Sequence, residues 1–202
     1  IEPETNTVAD LIPQILPGSA DEFRLLTDAV GGKGYRQIDI NLGCPFPMIA
    51  GKHKGAGMLL YPAQVAEVLA PIAEYPEIQF SLKMRLGWEN ASECMVLVEL
   101  LNAIRLSRIA LHARTGKQQY KGHPDLEAFQ GFYELCQHPL YYNGGIESLS
   151  DIRQILIRFP LLKGVFIGRG LLSSPLLAKE FKGNETFLPE QRMSIYFAFH
   201  EE

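Results

Sequence analysis

Short apolar runs alternate along the chain with longer amphipathic segments. The apolar runs cover residues 8–15, 37–40, 78–84, 107–112, 140–143 and 164–167. Apolar positions recur at helical spacing over residues 21–30, 63–74, 92–104, 126–136 and 149–159. Strands that alternate with helices in this way predict βαβ units and a parallel sheet.

The distance between successive strand ends indicates the kind of sheet. Lys83, His112, Asn143 and Gly168 are separated by 29, 31 and 25 residues, close to the roughly 30 residues of one βα unit. A near-constant period without reversal favours an α/β fold of the (β/α)8 TIM-barrel type, although spacing alone does not exclude an open sheet. A complete barrel has eight strands, so we expect the first two to be missing before Ile1.

The two ends of the chain predict how it is organised. The sequence begins at Ile1 without an initiator Met or a signal-peptide pattern, which indicates a fragment or a trimmed chain. Residues 188–202 predict a helix with Pro189 in its first turn and little to pack against. We therefore expect a partial barrel over residues 1–187 and, over residues 188–202, the beginning of a helical domain that continues in the parent protein.

Composition narrows the functional class. The 202 residues carry a net charge of −4, which argues against a surface that coats nucleic acid everywhere but leaves a local basic patch open. Every apolar run is shorter than the about 18–20 residues of a membrane span. Cys44, Cys94 and Cys136 form no CxxC pair and are odd in number, which indicates a reducing, cytoplasmic setting. No metal site is predicted.

Every predicted strand ends in polar or glycine-rich sequence. Function in a barrel collects at these ends, and ordinary turns seldom place Lys, Arg or His there. Lys83 and Arg85 are two residues apart, so both point into the barrel mouth or both point outward. The candidate residues at the strand ends are Gln14, Asn41, Cys44, Lys83, Arg85, His112, Arg114, Asn143, Gly144, Gly145, Gly168 and Arg169.

The last two strand ends resemble an anion site. Residues 143–145 lead into a predicted helix N-cap at 148–151, and residues 168–170 lead into a second at 173–175. Glycine lets backbone N–H groups approach an anion, and a helix N-terminus adds a positive dipole. With Arg169 as a charged partner, these loops predict a phosphate-bearing cofactor. Two glycine turns that merely close a barrel are the alternative.

Cys44 differs from the other two cysteines. Cys94 and Cys136 lie in predicted helices and are interpreted as packing residues. Cys44 follows a strand in a Gly- and Pro-containing loop, where a mostly protonated thiol can donate a proton or, once activated, attack. The loop over residues 43–57 contains four glycines, which predicts enough flexibility for a lid.

Two predicted loops gather basic residues in an acidic protein. Residues 43–58 contain Lys52, His53 and Lys54 and no acid. Residues 112–124 contain Arg114, Lys117, Lys121 and two histidines, again without an acid. The functional interpretation is a polyanion that docks over the barrel mouth, and chance clustering in exposed loops is the alternative.

An ordered set of motifs gives the chain a family resemblance. From about Val8 to Leu172, the sequence resembles the tRNA-dihydrouridine synthases. The motifs that carry the resemblance are residues 41–45 (NLGCP), 55–60 (GAGMLL), 83–87 (KMRLG), 112–116 (HARTG), 120–122 (YKG), 143–146 (NGGI) and 167–170 (IGRG).

The resemblance implies an FMN-bearing TIM barrel followed by a helical RNA-binding domain, in a monomeric, cytoplasmic enzyme that uses NADPH to reduce uridine in tRNA. It implies that reduced FMN delivers hydride to C6 of uracil and that Cys44 protonates C5. Asn41, Arg85 and Arg114 match the neighbourhood of the target base. The implied FMN contacts are Gln14, Lys83, His112, Asn143, Gly144, Gly145, Gly168 and Arg169. Gly145 stands where many family members have Asp.

Two other functions compete with this one. An FMN barrel that handles a free pyrimidine, similar to dihydroorotate dehydrogenase, would not need basic loops facing a polyanion. A non-catalytic RNA-binding relic of the barrel would not need Cys44 and Lys83, and both are present.

Overall fold

Six parallel strands form one sheet in a computed structural model that describes residues 11–183 together with 187, 190, 191 and 193. The strands lie side by side in chain order, and each pairs in parallel with the next. Within the described residues no pairing joins the last strand to the first. The strands are β1 (Gln14–Ile15), β2 (Gln37–Leu42), β3 (Gln79–Gly87), β4 (Ile109–Thr115), β5 (Leu140–Asn143) and β6 (Gly164–Phe166).

Helices connect successive strands, as predicted. The predicted segment 63–74 is divided in two, because Pro71 has no N–H to continue α-helical bonding and the chain goes on as a 3-10 helix over Ala70–Glu74. The α-helices are α1 (Ala20–Gly31), α2 (Pro47–Ala50), α3 (Pro62–Leu69), α4 (Glu93–Asn102), α5 (Leu126–Leu135), α6 (Leu149–Arg158), α7 (Gly170–Ser173) and α8 (Leu177–Gly183).

The sheet has an apolar outer face and a polar inner face. In β2, Ile38, Ile40 and Leu42 are fully buried on the outer face that the helices cover. On the same face Phe80 of β3 packs against Phe23 of α1, with ring centroids 5.3 Å apart. Burial of each such side chain contributes roughly 1.5–3 kcal/mol, so the outer face supplies most of the stability.

Two strands extend further than their apolar runs predict. The prediction ends β3 at residue 84 and β4 at residue 112, whereas the strands continue to Gly87 and Thr115. The extensions carry Arg85 and Arg114, whose polar side chains face inward and break the apolar pattern without ending the strand. Residues alternate between the two faces of a strand, so a polar inner position is compatible with continued pairing.

One of the two predicted helix caps is confirmed. Ser148 caps α6, and Asp151 completes a capping box. The second predicted cap, at residues 173–175, lies where α7 ends at Ser173 and shortly before α8 begins at Leu177. This second cap stays a prediction.

The last two glycines of the loop after β2 have structural roles, and the predicted lid stays a prediction. Gly55 and Gly57 lie in a buried 3-10 helix, Gly55–Leu60. A Cβ on Gly57 would lie 2.3 Å from the backbone oxygen of Ala50, and Gly55 has a φ of +55°. Close packing and a left-handed backbone thus explain these two glycines.

Some predictions fall outside the described residues. Residues 8–10 of the first predicted strand do so, as does the predicted helix over residues 188–202 apart from positions 190, 191 and 193. Among the helices that the structure describes, none has both the length and the apolar character that a membrane crossing requires.

Candidate active site

A cavity of about 410 Å³ opens at the carboxyl ends of the strands. It brings together all twelve residues that the sequence singles out, although they are spread over more than 150 positions. The carboxyl ends of parallel strands meet at one edge of a sheet, which is why residues so distant in sequence converge. The predicted residues that line it are Gln14, Asn41, Cys44, Lys83, Arg85, His112, Arg114, Asn143, Gly144, Gly145, Gly168 and Arg169.

Lys83 contributes a half-buried cation to the cavity. Partial burial lowers the pKa of its ammonium and nearby Arg85 lowers it further, whereas Asp39 and Cys44 act in the opposite direction. In the part of the chain that the structure describes, its Nζ has neither a hydrogen-bond acceptor nor an ion-pair partner. A partly desolvated ammonium without an acceptor is unfavourable, so Lys83 is arranged to meet an anionic or hydrogen-bond-accepting ligand.

His112 is a neutral imidazole with a defined tautomer. Burial, followed by the nearby Arg85 and Lys83, lowers its pKa to about 2. Its Nε2 lies 3.2 Å from Nη1 of Arg114. A guanidinium only donates hydrogen bonds, so Nε2 must accept and the proton must reside on Nδ1. His112 can therefore act as a neutral donor through Nδ1.

Arg85 is buried and holds two loops together. Its Nε donates to the backbone oxygen of Gly43 at 2.9 Å. Its Nη1 donates to the backbone oxygens of Thr115 and Gln119, at 2.9 and 2.7 Å. The guanidinium thereby ties the loop that carries Cys44 to the loop that follows β4.

Asn41 shapes the turn that carries Cys44. Its Oδ1 accepts hydrogen bonds from the backbone N–H groups of Gly43 and Cys44, both at 2.9 Å. Its Nδ2 donates to Oε1 of Gln14 at 2.6 Å.

The Cys44 thiol is half-buried and free, in contrast to Cys94, which is fully buried with a pKa raised by burial to about 12. Cys94 and Cys136 pack away from the cavity, as predicted.

The two glycine turns leave room for a ligand. Gly144 and Gly145 have φ values of +132° and +61°, which other residues adopt only with strain. A Cβ on Gly168 would meet no atom within 4 Å. Packing within the chain therefore does not require a glycine there, whereas the close approach of a ligand would.

The N-terminus of α6 carries a capping box. The backbone N–H groups of Glu147 and Ser148 donate to Oδ2 of Asp151, and Oγ of Ser148 accepts from the backbone N–H of Asp151. The carboxylate of Asp151 thus lies at this helix terminus, whereas the glycine turns and Arg169 line the cavity and can meet an anion there.

Tyr120 is a cavity residue that the sequence interpretation missed as such. Its half-exposed ring lies between two guanidinium groups, 4.5 Å from that of Arg169 and 5.5 Å from that of Arg85. These distances are within the range of cation–π attraction. The sequence does contain a signal for this contact, because Tyr120 is an aromatic residue among the basic residues of 112–124. As part of the motif at residues 120–122 it supports only the family resemblance.

The basic loops carry fewer available charges than their composition indicates. Lys54 pairs with Glu22 of α1 at 2.6 Å, and Lys117 pairs with Glu89 at 2.6 Å. Arg114 is buried in the cavity. Within residues 11–183, only the exposed Lys52 and Lys121 among the lysines of these two loops have no ion-pair partner.

The arrangement combines a thiol, a neutral imidazole donor and four cationic side chains around one cavity. Glycine turns at one part of the rim admit a ligand closely, and Cys44 lies on another part of the same rim. Such a site can bind an anionic, hydrogen-bond-accepting molecule and present a proton donor to a second one.

Comparison with known proteins identifies relatives over most of the chain. The family model described as "Dihydrouridine synthase (Dus)" matches residues 3–200. A "Probable tRNA-dihydrouridine synthase" of Rhizobium leguminosarum bv. phaseoli is 32% identical over 139 residues, which are 68% of this chain and 44% of that protein. The "tRNA-dihydrouridine synthase B" of Pseudomonas putida is 26% identical over 182 residues, 90% of this chain and 52% of that protein. The chain spans about half the length of the curated relatives it matches.

Solved structures show a similar fold at low sequence identity. Morphinone reductase superposes with a TM-score of 0.58 at 14% identity, over 85% of this chain and 51% of its own. A "probable mandelate racemase" from Alicyclobacillus acidocaldarius gives a TM-score of 0.52 at 15% identity, over 79% of this chain and 35% of its own. Likeness at this level shows the fold alone, and together with the sequential parallel sheet it confirms the predicted TIM-barrel class.

Proposed function

The chain belongs to the dihydrouridine synthase family, and from that premise we propose that it forms the flavin-binding barrel of an enzyme that reduces uridine to 5,6-dihydrouridine in tRNA. The observation that carries the proposal is the presence of Cys44 on the same cavity as Lys83 and the two glycine turns. The reductant is NADPH, and the protein acts as a monomer in the cytoplasm, a setting that agrees with its three free cysteines.

The residues around the cavity suit FMN. Lys83 needs an acceptor, Gly168 leaves room for close approach, and Arg169 offers a charge to a phosphate. When bound, FMN supplies hydride transfer to the pyrimidine ring. The residues that would hold it are Gln14, Lys83, His112, Asn143, Gly144, Gly145, Gly168 and Arg169.

Each polar side chain has a distinct part in this proposal. The Lys83 ammonium stabilises negative charge close to it, and a buried site strengthens that interaction. His112 donates through Nδ1 without carrying a charge. Sγ of Cys44 holds the proton that is delivered to C5 of the uracil ring, a general-acid step that a thiol can perform.

The residues predicted near the target base already have partners in the protein. Arg85 holds backbone carbonyls, Arg114 donates to Gly122 at 2.9 Å, and Asn41 bonds to Gln14 and to the Cys44 turn. We assign Arg85 to holding the Cys44 loop, and we keep Asn41 and Arg114 as contacts of the base through their remaining hydrogen-bonding capacity. The target uridine must leave its stack to reach them, at a cost of roughly a few kcal/mol.

Deletion of the gene tests the proposal. Mass spectrometry of tRNA digests should show lost dihydrouridine, which the wild-type gene restores. When expression of the Cys44→Ala gene is switched on in the deletion strain, dihydrouridine should at first accumulate at less than about one hundredth of the wild-type rate. The reason is that general acid catalysis contributes at least about 10²-fold.

Cys136→Ala is the matched control, since this half-buried thiol lies outside the cavity, and it should restore dihydrouridine fully. An unchanged dihydrouridine content after deletion, in a strain with no second gene of this family, contradicts the proposed function. Full rescue by Cys44→Ala contradicts only the proton-donor role.

A further inference from the structure

A buried carboxylate on the inner face of β2 is not used by the function proposed above. Asp39 is 8% exposed and lies outside the set of residues that line the cavity. Its Oδ2 accepts a hydrogen bond from Nε2 of Gln14 at 2.6 Å, and its Oδ1 accepts one from Oγ of Ser81 at 2.6 Å. Both oxygens are thus bonded to neighbouring strands, β1 and β3.

The chemistry of each group fixes the direction of the next hydrogen bond. A carboxylate only accepts, so Gln14 must turn its Nε2 towards Asp39. Oε1 of Gln14 then faces Asn41 and accepts a hydrogen bond from its Nδ2. The remaining oxygen of Asn41 is left to accept from the backbone of the Cys44 turn.

We propose that Asp39 is a positioning residue: it holds Gln14, and through Gln14 it holds the Asn41 amide that accepts from the backbone turn carrying Cys44. The reactivity of Cys44 assigned above rests on the proposed function, whereas this hydrogen-bonded chain does not. The chain runs from β3 across β2 to β1 and back to the end of β2, with the acceptor Asp39 near one end and the donor N–H groups of the turn at the other. Without Asp39, Nε2 of Gln14 loses its acceptor, and Gln14 is no longer held against Asn41.

A second explanation for Asp39 is electrostatic. Its negative charge acts on Lys83 and opposes the lowering of that pKa by burial. A charge effect depends only on the charge of residue 39. A positioning effect depends on whether residue 39 accepts a hydrogen bond from Gln14 and on whether Gln14 contacts Asn41.

The test measures alkylation of Cys44 by iodoacetamide in the purified full-length protein. Rates are taken at increasing pH up to the plateau, where the thiol is fully ionised and the rate reports access to the turn. Peptide mass spectrometry follows Cys44 and Cys136 in the same sample, so Cys136 reports any general loosening.

Three variants separate the two explanations. Asp39→Leu removes acceptor and charge, and it should speed alkylation of Cys44 about fivefold, because Gln14 no longer holds the Asn41 amide on which two hydrogen bonds of the turn depend. Asp39→Asn removes the charge but can still present an oxygen to Gln14, and it should stay within about twofold of wild type. Gln14→Leu keeps the charge of Asp39 and breaks the hydrogen-bonded chain at an exposed position. Its rate of Cys44 alkylation should therefore equal that of Asp39→Leu.

Ser81→Ala is the matched control, since it removes a bond to the same carboxylate without entering the path to Asn41, and it should stay within about twofold of wild type. Three results overturn the proposal: a wild-type rate in Gln14→Leu, equal rates in Asp39→Asn and Asp39→Leu, or a parallel rise at Cys136. Gln14→Leu remains informative even if Asp39→Leu does not fold. Because the assay uses no tRNA and no reductant, its outcome is independent of the gene-deletion experiment.

Discussion

Leu82 and Lys83 are neighbours in β3, yet they lie in two different environments. Leu82 points to the outer face, where it is fully buried in the core. Lys83 points to the inner face, where it is half-buried and its ammonium has no partner among the described residues. One step along the strand therefore separates a position that suits folding from one that costs stability.

The difference shows what each face requires. The outer face needs apolar volume, which any well-packed aliphatic side chain supplies. The inner face gathers cations around a cavity, an arrangement that burial makes unfavourable in the absence of a ligand. We therefore expect substitutions on the outer face to change stability, and substitutions on the inner face to change ligand binding and pH dependence.

The largest expected change in the free energy of unfolding follows from a substitution on the outer face. Leu82→Ala should lower the free energy of unfolding by about 3 kcal/mol, because it removes buried methyl groups and leaves a cavity. Urea denaturation monitored by circular dichroism measures this loss. A decrease below about 1 kcal/mol would mean that the outer face packs less tightly than its burial indicates.

His112 should make stability depend on pH. An unfolded histidine titrates near about 6.5, whereas His112 in the folded chain has a pKa of about 2. Between these values the unfolded state binds the extra proton, so this group's contribution to stability falls as pH falls. Between pH 7 and pH 5 the contribution of His112 to the free energy of unfolding decreases by about 2 kcal/mol.

His112→Gln keeps an acceptor near Arg114 and removes the titration. Its free energy of unfolding should therefore fall less than that of wild type between pH 7 and pH 5, by about 2 kcal/mol, as measured by urea denaturation at both pH values. Parallel pH profiles for the two proteins would show that the pKa of His112 is the same in the folded and the unfolded chain.

Lys83→Met should separate the two faces most sharply. The substitution removes an unpaired, half-buried charge at similar volume, so the free energy of unfolding of the flavin-free protein should stay unchanged or rise by up to about 1 kcal/mol. FMN affinity should fall about tenfold, as measured by titration of flavin fluorescence. Weaker folding together with unchanged FMN affinity would place Lys83 with the outer face instead.

The sequence predicts the framework because the outer face carries a regular apolar signal. It gives the bounds of β5, Leu140–Asn143, without error. It also predicts that the strand ends meet, since that follows from a parallel sheet whatever the details of packing. It ends β3 and β4 too early, because inward polar residues resemble loop residues when the two faces are not yet known.

Side-chain contacts between elements that are distant in sequence cannot be predicted from the pattern of residues along the chain. Lys54 counts as a free cation within its loop, yet Glu22 neutralises it from a helix 32 positions earlier. Asp39 is one polar residue inside an apolar run, and its importance emerges only when Gln14 and Ser81 are seen to converge on it. Such contacts depend on register and side-chain direction, which apolar periodicity does not encode.

The ring of Tyr120 connects the two parts of the cavity. Arg85 and Arg169 both lie within cation–π distance of this one ring, and Arg85 also donates to Gly43 in the loop that carries Cys44. A chain of contacts therefore leads from the turn of Arg169 to the loop beside the thiol. Any coupling between a ligand at the glycine turns and the order of that loop is reciprocal, so a substitution that changes one changes the other by the same factor.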